Sequence, residues 1–240
     1  MNRRAYLAAT GVTTVSVFLG GCLSDDEDRP PHPGTTLDDP SEYDVSPTGG
    51  YNVPLAPVTD VYGSYLDDDL LVLDARSEAA YSRSRVEEAK LSPAGAPDFD
   101  HPTADVATDR RIVTYCGCPH HLSTARAAEL YDEGFETVYA IDEGFGGWTD
   151  NGYPTAGSGT AKPVSYVVEG NTDAADAGEQ VWLREPETRQ QYVARIKSNG
   201  TWAMHFEFVE VDDDTLAVLE LPNGTIERTL GDLSSETVRL

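Results

Sequence analysis

The sequence predicts an α/β domain, a parallel sheet flanked by helices, followed by a small all-β domain. Two observations carry this. Between Val53 and Pro154, short apolar runs alternate with helix-type segments in strand–helix–strand order, the pattern of a parallel sheet covered by helices. Beyond a small-residue, glycine-containing linker at 156–162 the helical pattern stops, and residues 163–240 read as strands punctuated by Asn-Gly pairs.

Residues 1–22 come first. They open with Arg3-Arg4, continue through an uncharged, mildly apolar stretch from Ala5 to Leu19, and end in Leu19-Gly20-Gly21-Cys22. That stretch is shorter than the roughly 20 residues that span a bilayer. The order of arginine pair, apolar run and small residues before a cysteine resembles a twin-arginine export signal joined to a lipobox. The resemblance implies lipidation at Cys22 and an exported protein anchored to the outer face of the cell membrane. Residues 23–55 hold Asp, Glu and Pro from Ser24 to Pro33, and predict a disordered acidic tether.

The α/β domain is placed at 56–155. Residues 70–73 (Leu-Leu-Val-Leu) are a short run of buried-strand type. A helix follows over 77–85, with Ser77 as its N-cap. Residues 111–115 form the second strand, 122–133 a helix that Gly134 ends, and 137–141 the third strand. Ligands in such sheets sit at the carboxyl ends of the strands. The loop after the second strand is Cys116-Gly117-Cys118-Pro119-His120-His121, and it is the candidate site.

The C-terminal region reads as strands at 164–168, 180–183, 191–196, 202–211 and 216–221, with Asn199-Gly200 and Asn223-Gly224 as hairpin turns. A β-sandwich or barrel, mainly antiparallel, is expected. Trp182, Trp202, Phe206 and Phe208 are expected to supply core residues. Both Asn-Gly-Thr triplets also fit the glycosylation pattern, which their turn role explains without sugar.

Charge narrows the partners. The chain has 17 Lys+Arg against 42 Asp+Glu, a formal charge of −25. That excludes unaided binding to nucleic acid or anionic lipid. Only Lys90, Lys162 and Lys197 are lysines, and acidic runs such as Asp67-Asp68-Asp69 and Asp212-Asp213-Asp214 sit beside ordinary apolar runs. Such a surface suits molar salt, where the screening length falls to about 3 Å, so a halophilic source is expected.

The loop offers thiolate chemistry. A free cysteine has a pKa near ~8.5 and needs neighbouring positive charge or N–H groups to ionise at neutral pH. Amides from Gly117 through Leu122 and Ser123, at a helix N-terminus, can cradle an anion, although Pro119 has no N–H to give. His120 and His121 can add charge or transfer protons. Two cysteines and two histidines also fit zinc or copper. A second cluster is missing from the sequence, since His32, His101 and His205 are isolated, and no metal or cofactor is assigned. Cys118 also allows a resolving role, attack on an oxidised or persulfidated Cys116, through a strained ring.

Three separated segments match one family in order. They are Leu73-Asp74-Ala75-Arg76 with Tyr81, Val113-Thr114-Tyr115-Cys116 with Ala127-Ala128-Glu129-Leu130, and Gly144-Phe145-Gly146-Gly147-Trp148 with Gly152-Tyr153-Pro154. With these segments, residues of about 55–155 resemble a single rhodanese domain, the sulfurtransferase fold. The resemblance implies a thiolate that takes sulfane sulfur from a small donor anion such as thiosulfate. It holds the sulfur as a persulfide and passes it to a thiol or cyanide acceptor, without a cofactor. Counting forward from Tyr115 makes Cys116 the nucleophile. Counting back from Ala127-Ala128, across a loop two residues longer than usual, makes it Cys118. His120 and His121 are the remaining catalytic candidates. Gly117, Leu122, Ser123 and Arg76 are the substrate-side candidates, Arg76 with Asp74 also fitting an ion pair that supports the loop. The chain departs from the family in having no loop arginine, Arg85 in place of a frequent histidine and Glu143 in place of a frequent glycine. Phosphatase-type chemistry needs an arginine clamp, and Arg126 lies beyond the loop. The alternative is a non-catalytic rhodanese-like module that binds a protein partner or a metal ion.

Overall fold

A computed structural model describes residues 29–117 and 119–239; the segment expected to be an export signal, with Cys22, the start of the expected tether, and Cys118 lie outside the described residues. In chain order the first part holds strands β1 (Val45–Thr48), β2 (Tyr51–Ala56), β3 (Leu71–Asp74), β4 (Arg85–Val86), β5 (Lys90–Leu91), β6 (Ile112–Tyr115), β7 (Val138–Ile141) and β8 (Thr155–Ala156). Helices α1 (Val58–Leu66), α2 (Glu78–Arg83), α3 (Leu122–Asp132) and α4 (Gly144–Asp150) connect them. The main sheet runs β1-β2-β7-β6-β3-β5. It is mixed rather than wholly parallel. β2, β7, β6, β3 and β5 are parallel neighbours, whereas β1 pairs antiparallel with β2. The cause is the Gly49-Gly50 turn, where φ values of 58° and 85° let two residues reverse the chain between Thr48 and Tyr51.

That hairpin also corrects the tether. From residue 29 onward the segment expected to be disordered packs against the sheet. Leu37 is buried and donates its N–H to Ser64 Oγ at 2.9 Å. Tyr43 stands edge-on to Tyr139, whose hydroxyl donates to the Asp38 carbonyl at 2.7 Å. Acidic and proline-rich composition concealed a few well-spaced apolar anchors.

β6 and β7 are buried at every position, as strands covered on both faces must be. Alternate side chains divide between two cores. Val113, Tyr115, Tyr139 and Ile141 meet α1 and α4 through Val58, Val61, Tyr62 and Trp148. Ile112, Val138 and Ala140 meet α3 through Ala127 and Leu130. Position 116 continues the second series, so the cysteine leaves the strand on the α3 side.

The C-terminal part contains β9 (Pro163–Asn171), β10 (Gln180–Glu185), β11 (Gln190–Arg195), β12 (Thr201–Val209), β13 (Leu216–Leu221), β14 (Gly224–Thr229), α5 (Leu230–Ser235) and β15 (Val238–Arg239). Two sheets form, β11-β10-β13-β14 and β12-β9-β15. Their buried side chains share one cluster, the arrangement of a sandwich. Pairing is antiparallel except for β15, which lies parallel to β9. Asn223-Gly224 ends the β13–β14 hairpin, in which Leu221 pairs with Gly224. Asn199-Gly200 turns the chain but makes no hairpin, because β11 and β12 belong to different sheets. Among the described residues no helix is long and apolar enough to cross a membrane.

The two parts share a core. Ala75, Ala94, Cys116, Leu122 and Ala125 belong to the cluster that fills the sandwich. Polar ties reinforce the junction: Arg184 Nη1 donates to the Gly95 carbonyl at 2.9 Å, Gln191 Nε2 to the Ala94 carbonyl, and Arg195 Nη1 to the Pro47 carbonyl.

Candidate functional site

The site begins where β6 ends. The Cys116 carbonyl accepts the Phe145 N–H at 2.8 Å, which ties the strand end to the start of α4. The Cys116 thiol donates to Ser123 Oγ at 3.4 Å. Ser123 lies in the first turn of α3, and its carbonyl accepts the Thr114 hydroxyl at 2.9 Å. Strand, cysteine and helix start are thereby locked together. Among the described residues no side chain caps α3, whose first-turn amides lie at the positive end of the helix dipole. Cys116 is only 2% exposed, because the sandwich covers it.

A buried network supports the loop from behind. Arg76 pairs with Asp74 through Nη2 at 2.6 Å and Nε at 2.9 Å, and Nη2 also donates to the Ser84 carbonyl. Tyr115 donates to Asp74 Oδ2 at 2.7 Å and accepts the Val86 N–H at 3.1 Å. The guanidinium lies over Phe145, 4.4 Å from the ring centre. Burial pushes the Tyr115 phenol well above its usual range, and Asp74 adds to this. These contacts place Arg76 in the supporting ion pair foreseen for it, while its side chain also lines the cavity described next.

Gly117 and Leu122 open onto a cavity of about 500 Å³ between the loop and strands β9 and β12. Tyr166, Tyr192, His205 and Phe206 form its far wall. The two loop histidines face elsewhere, onto a separate cavity of about 650 Å³ beside Arg195 and Lys197. His120, at φ +63°, sets Nε2 2.6 Å from Asp142 Oδ1. His121 Nδ1 lies 3.1 Å from the Tyr192 hydroxyl. Burial lowers the His121 pKa, and the neighbouring His120 and His205 lower it further. The structure thus brings Cys116, Gly117, Leu122, Ser123 and Arg76 together and turns His120 and His121 away from the cavity that Gly117 and Leu122 line.

Other candidates have structural partners. Arg126 is buried and donates to Ser92 Oγ, Glu129 and Glu133, so it is committed away from the loop. Glu143 accepts the Val58 N–H at 2.8 Å and holds the start of α1. Arg85 lies over the Tyr81 ring. Among the described residues no group of three or more His, Cys, Asp or Glu side chains could hold a metal ion. Sequence reasoning missed Tyr192 and the β12 residues facing the loop. Their alternation marked them as strand residues, but nothing local told which surface the sandwich would cover.

The family described as the Rhodanese-like domain matches residues 59–151. No curated protein matches the chain. Among solved structures, the BH2092 protein from Bacillus halodurans is 21% identical with a TM-score of 0.38, over 43% of this chain and 76% of that one. The Alr3790 protein from Anabaena sp. is 23% identical with a TM-score of 0.38, over 42% and 80%. The thiosulfate sulfurtransferase from Pseudomonas aeruginosa is 24% identical with a TM-score of 0.39, over 43% of this chain and 20% of that one.

Proposed function

We propose that the rhodanese-like domain at residues 59–151 moves sulfane sulfur through Cys116. The observation that carries this is the position of its thiol, at the carboxyl end of the central strand β6 and bonded to Ser123 in the first turn of α3. The thiolate attacks the outer sulfur of thiosulfate. The donor's S–S bond breaks, sulfite leaves with the electron pair, and the sulfur stays as a persulfide. Amides of the loop and the α3 start stabilise the anions on both sides of this step. Cyanide or a thiol then takes the outer sulfur and restores the Cys116 thiolate. Arg76 acts as a positioning residue through Asp74 and Tyr115.

Thiocyanate release from thiosulfate and cyanide tests the reading. Cys116→Ala is expected to abolish it, and unchanged release from that variant would move the nucleophile to Cys118. The burial of Cys116 favours a second reading, a non-catalytic module that binds a protein, for which neither cysteine yields thiocyanate. The proposed setting is the outer face of the cell membrane, with a lipid on Cys22. Mass analysis of the N-terminal peptide from its own cells tests this, and an unmodified Cys22 there contradicts it.

A further inference from the structure

The cavity of about 650 Å³ lies where the β1 hairpin and the start of α3 meet the sandwich. Among the described residues that line it there is no aspartate or glutamate, although 42 of the chain's 240 residues are acidic. Arg195, Lys197, His120 and His121 line it instead. In a chain of charge −25 this is a local reversal of sign.

Strand register places the main cation. Gln180 and Arg195 are paired residues of β10 and β11, so they share a face of the sheet. Arg184 stands on that same face of β10, and it reaches the Gly95 carbonyl of the α/β domain. Arg195 crosses the same junction and donates from Nη1 to the Pro47 carbonyl. A carbonyl leaves its positive charge unmatched. Among the described residues neither Arg195 nor Lys197 is in an ion pair, whereas Arg76, Arg111, Arg126 and Arg184 each hold a carboxylate. Ser46 and Thr48, alternate residues of β1, add hydroxyls to the lining. The histidines add little charge. His120 is matched by Asp142 at 2.6 Å. Burial keeps His121 below its ordinary pKa, so it serves as a hydrogen-bonding group.

We propose that this cavity is an anion site, separate from Cys116, that takes a phosphate or sulfate group, free or carried on a small organic molecule. The guanidinium fork of Arg195 matches two oxygens of such a group, a geometry that chloride cannot use. Discrimination by contact geometry matters in molar salt, where attraction beyond about 3 Å is screened. A free phosphate ion fills on the order of 100 Å³, judged from the roughly 30 Å³ share of a water molecule. The cavity therefore has room for an organic body beside the anionic group. The site holds whether or not Cys116 carries sulfur.

Calorimetric titration of the full chain with phenyl phosphate in 2 M KCl tests this. Saturable binding at one site is expected. Arg195→Met should weaken it by about tenfold or more, the worth of a charge-assisted hydrogen bond. Lys197→Glu, at an exposed position, should weaken it in the same direction, and Cys116→Ala should bind as the wild type does. Thermal transitions establish that the variants fold, and Lys197→Glu keeps the test decisive if Arg195→Met does not. A parallel titration with inorganic phosphate separates the sources. Tighter phenyl phosphate points to an ester and tighter inorganic phosphate to the free ion, and both support the site. Absence of saturable binding of either probe, or binding indifferent to both basic substitutions, overturns the proposal. Binding lost only in Cys116→Ala also overturns it, because the anion then sits at the cysteine loop.

Discussion

Tyr115 and His121 show how single side chains set the conditions at the loop. The Tyr115 hydroxyl serves a carboxylate and a backbone N–H at once, both buried. Tyr115→Phe takes the side-chain acceptor from the buried Val86 N–H and leaves Asp74 Oδ2 with Arg76 Nη2 as its donor, and should cost about 1–3 kcal/mol in urea unfolding. His121 gives a pH signature. Its folded pKa lies below the ordinary 6.5, chiefly from burial. The unfolded chain therefore binds more protons near and below that value, so stability rises with pH. The contribution is whole above about pH 6.5 and is lost as pH falls through the lowered folded value. His121→Gln should flatten the stability–pH curve between about pH 7 and 5. An unchanged slope would show that other groups carry it. The loop residues themselves were legible in the sequence, because chemistry-bearing side chains stood directly after a buried strand. Their separation was not legible. His120 and His121 are adjacent in sequence yet contact Asp142 and Tyr192, from different elements.

At the scale of elements, continuous apolar runs identified β3, β6 and β7, and alternation identified β9 to β13. The Ser77 cap was also legible, its hydroxyl accepting the Ala80 N–H. Elements held by tertiary contact were not. α1 starts on a carboxylate supplied by Glu143, far away in sequence, and α4 is a short glycine-rich helix centred on the buried Trp148. β15 has two residues and depends on β9. The β9–β12 pair has its own sharp constraint. A Cβ at Gly170 would lie 2.1 Å from the Trp202 ring, which is itself buried and cannot withdraw. Gly170→Ala should therefore destabilise the chain by about 1–3 kcal/mol, read from the shift in its thermal transition. A wild-type transition would mean that Trp202 has room to move.

For the whole molecule, charge and domain junction dominate. A net charge of −25 opposes compaction through self-repulsion, and salt screens that repulsion. The midpoint of thermal unfolding should rise between 0.1 and 2 M KCl, and a flat or falling midpoint would count against adaptation to salt. The sandwich does more than follow the α/β domain. It shares a core with the cysteine loop, buries Cys116 and builds the far side of the adjoining cavity. A β-rich partner was visible in the sequence, but its docking was not, since the contacts joining Ala94 to Gln191 and His121 to Tyr192 span long stretches of chain.

The central claim is a sulfur atom carried on Cys116, and intact mass after thiosulfate exposure in high salt measures it directly. A gain of one sulfur, about 32 Da, that is lost in Cys116→Ala and kept in Cys118→Ala is the predicted result. No gain in the wild-type chain, with both thiols still titratable, would contradict it.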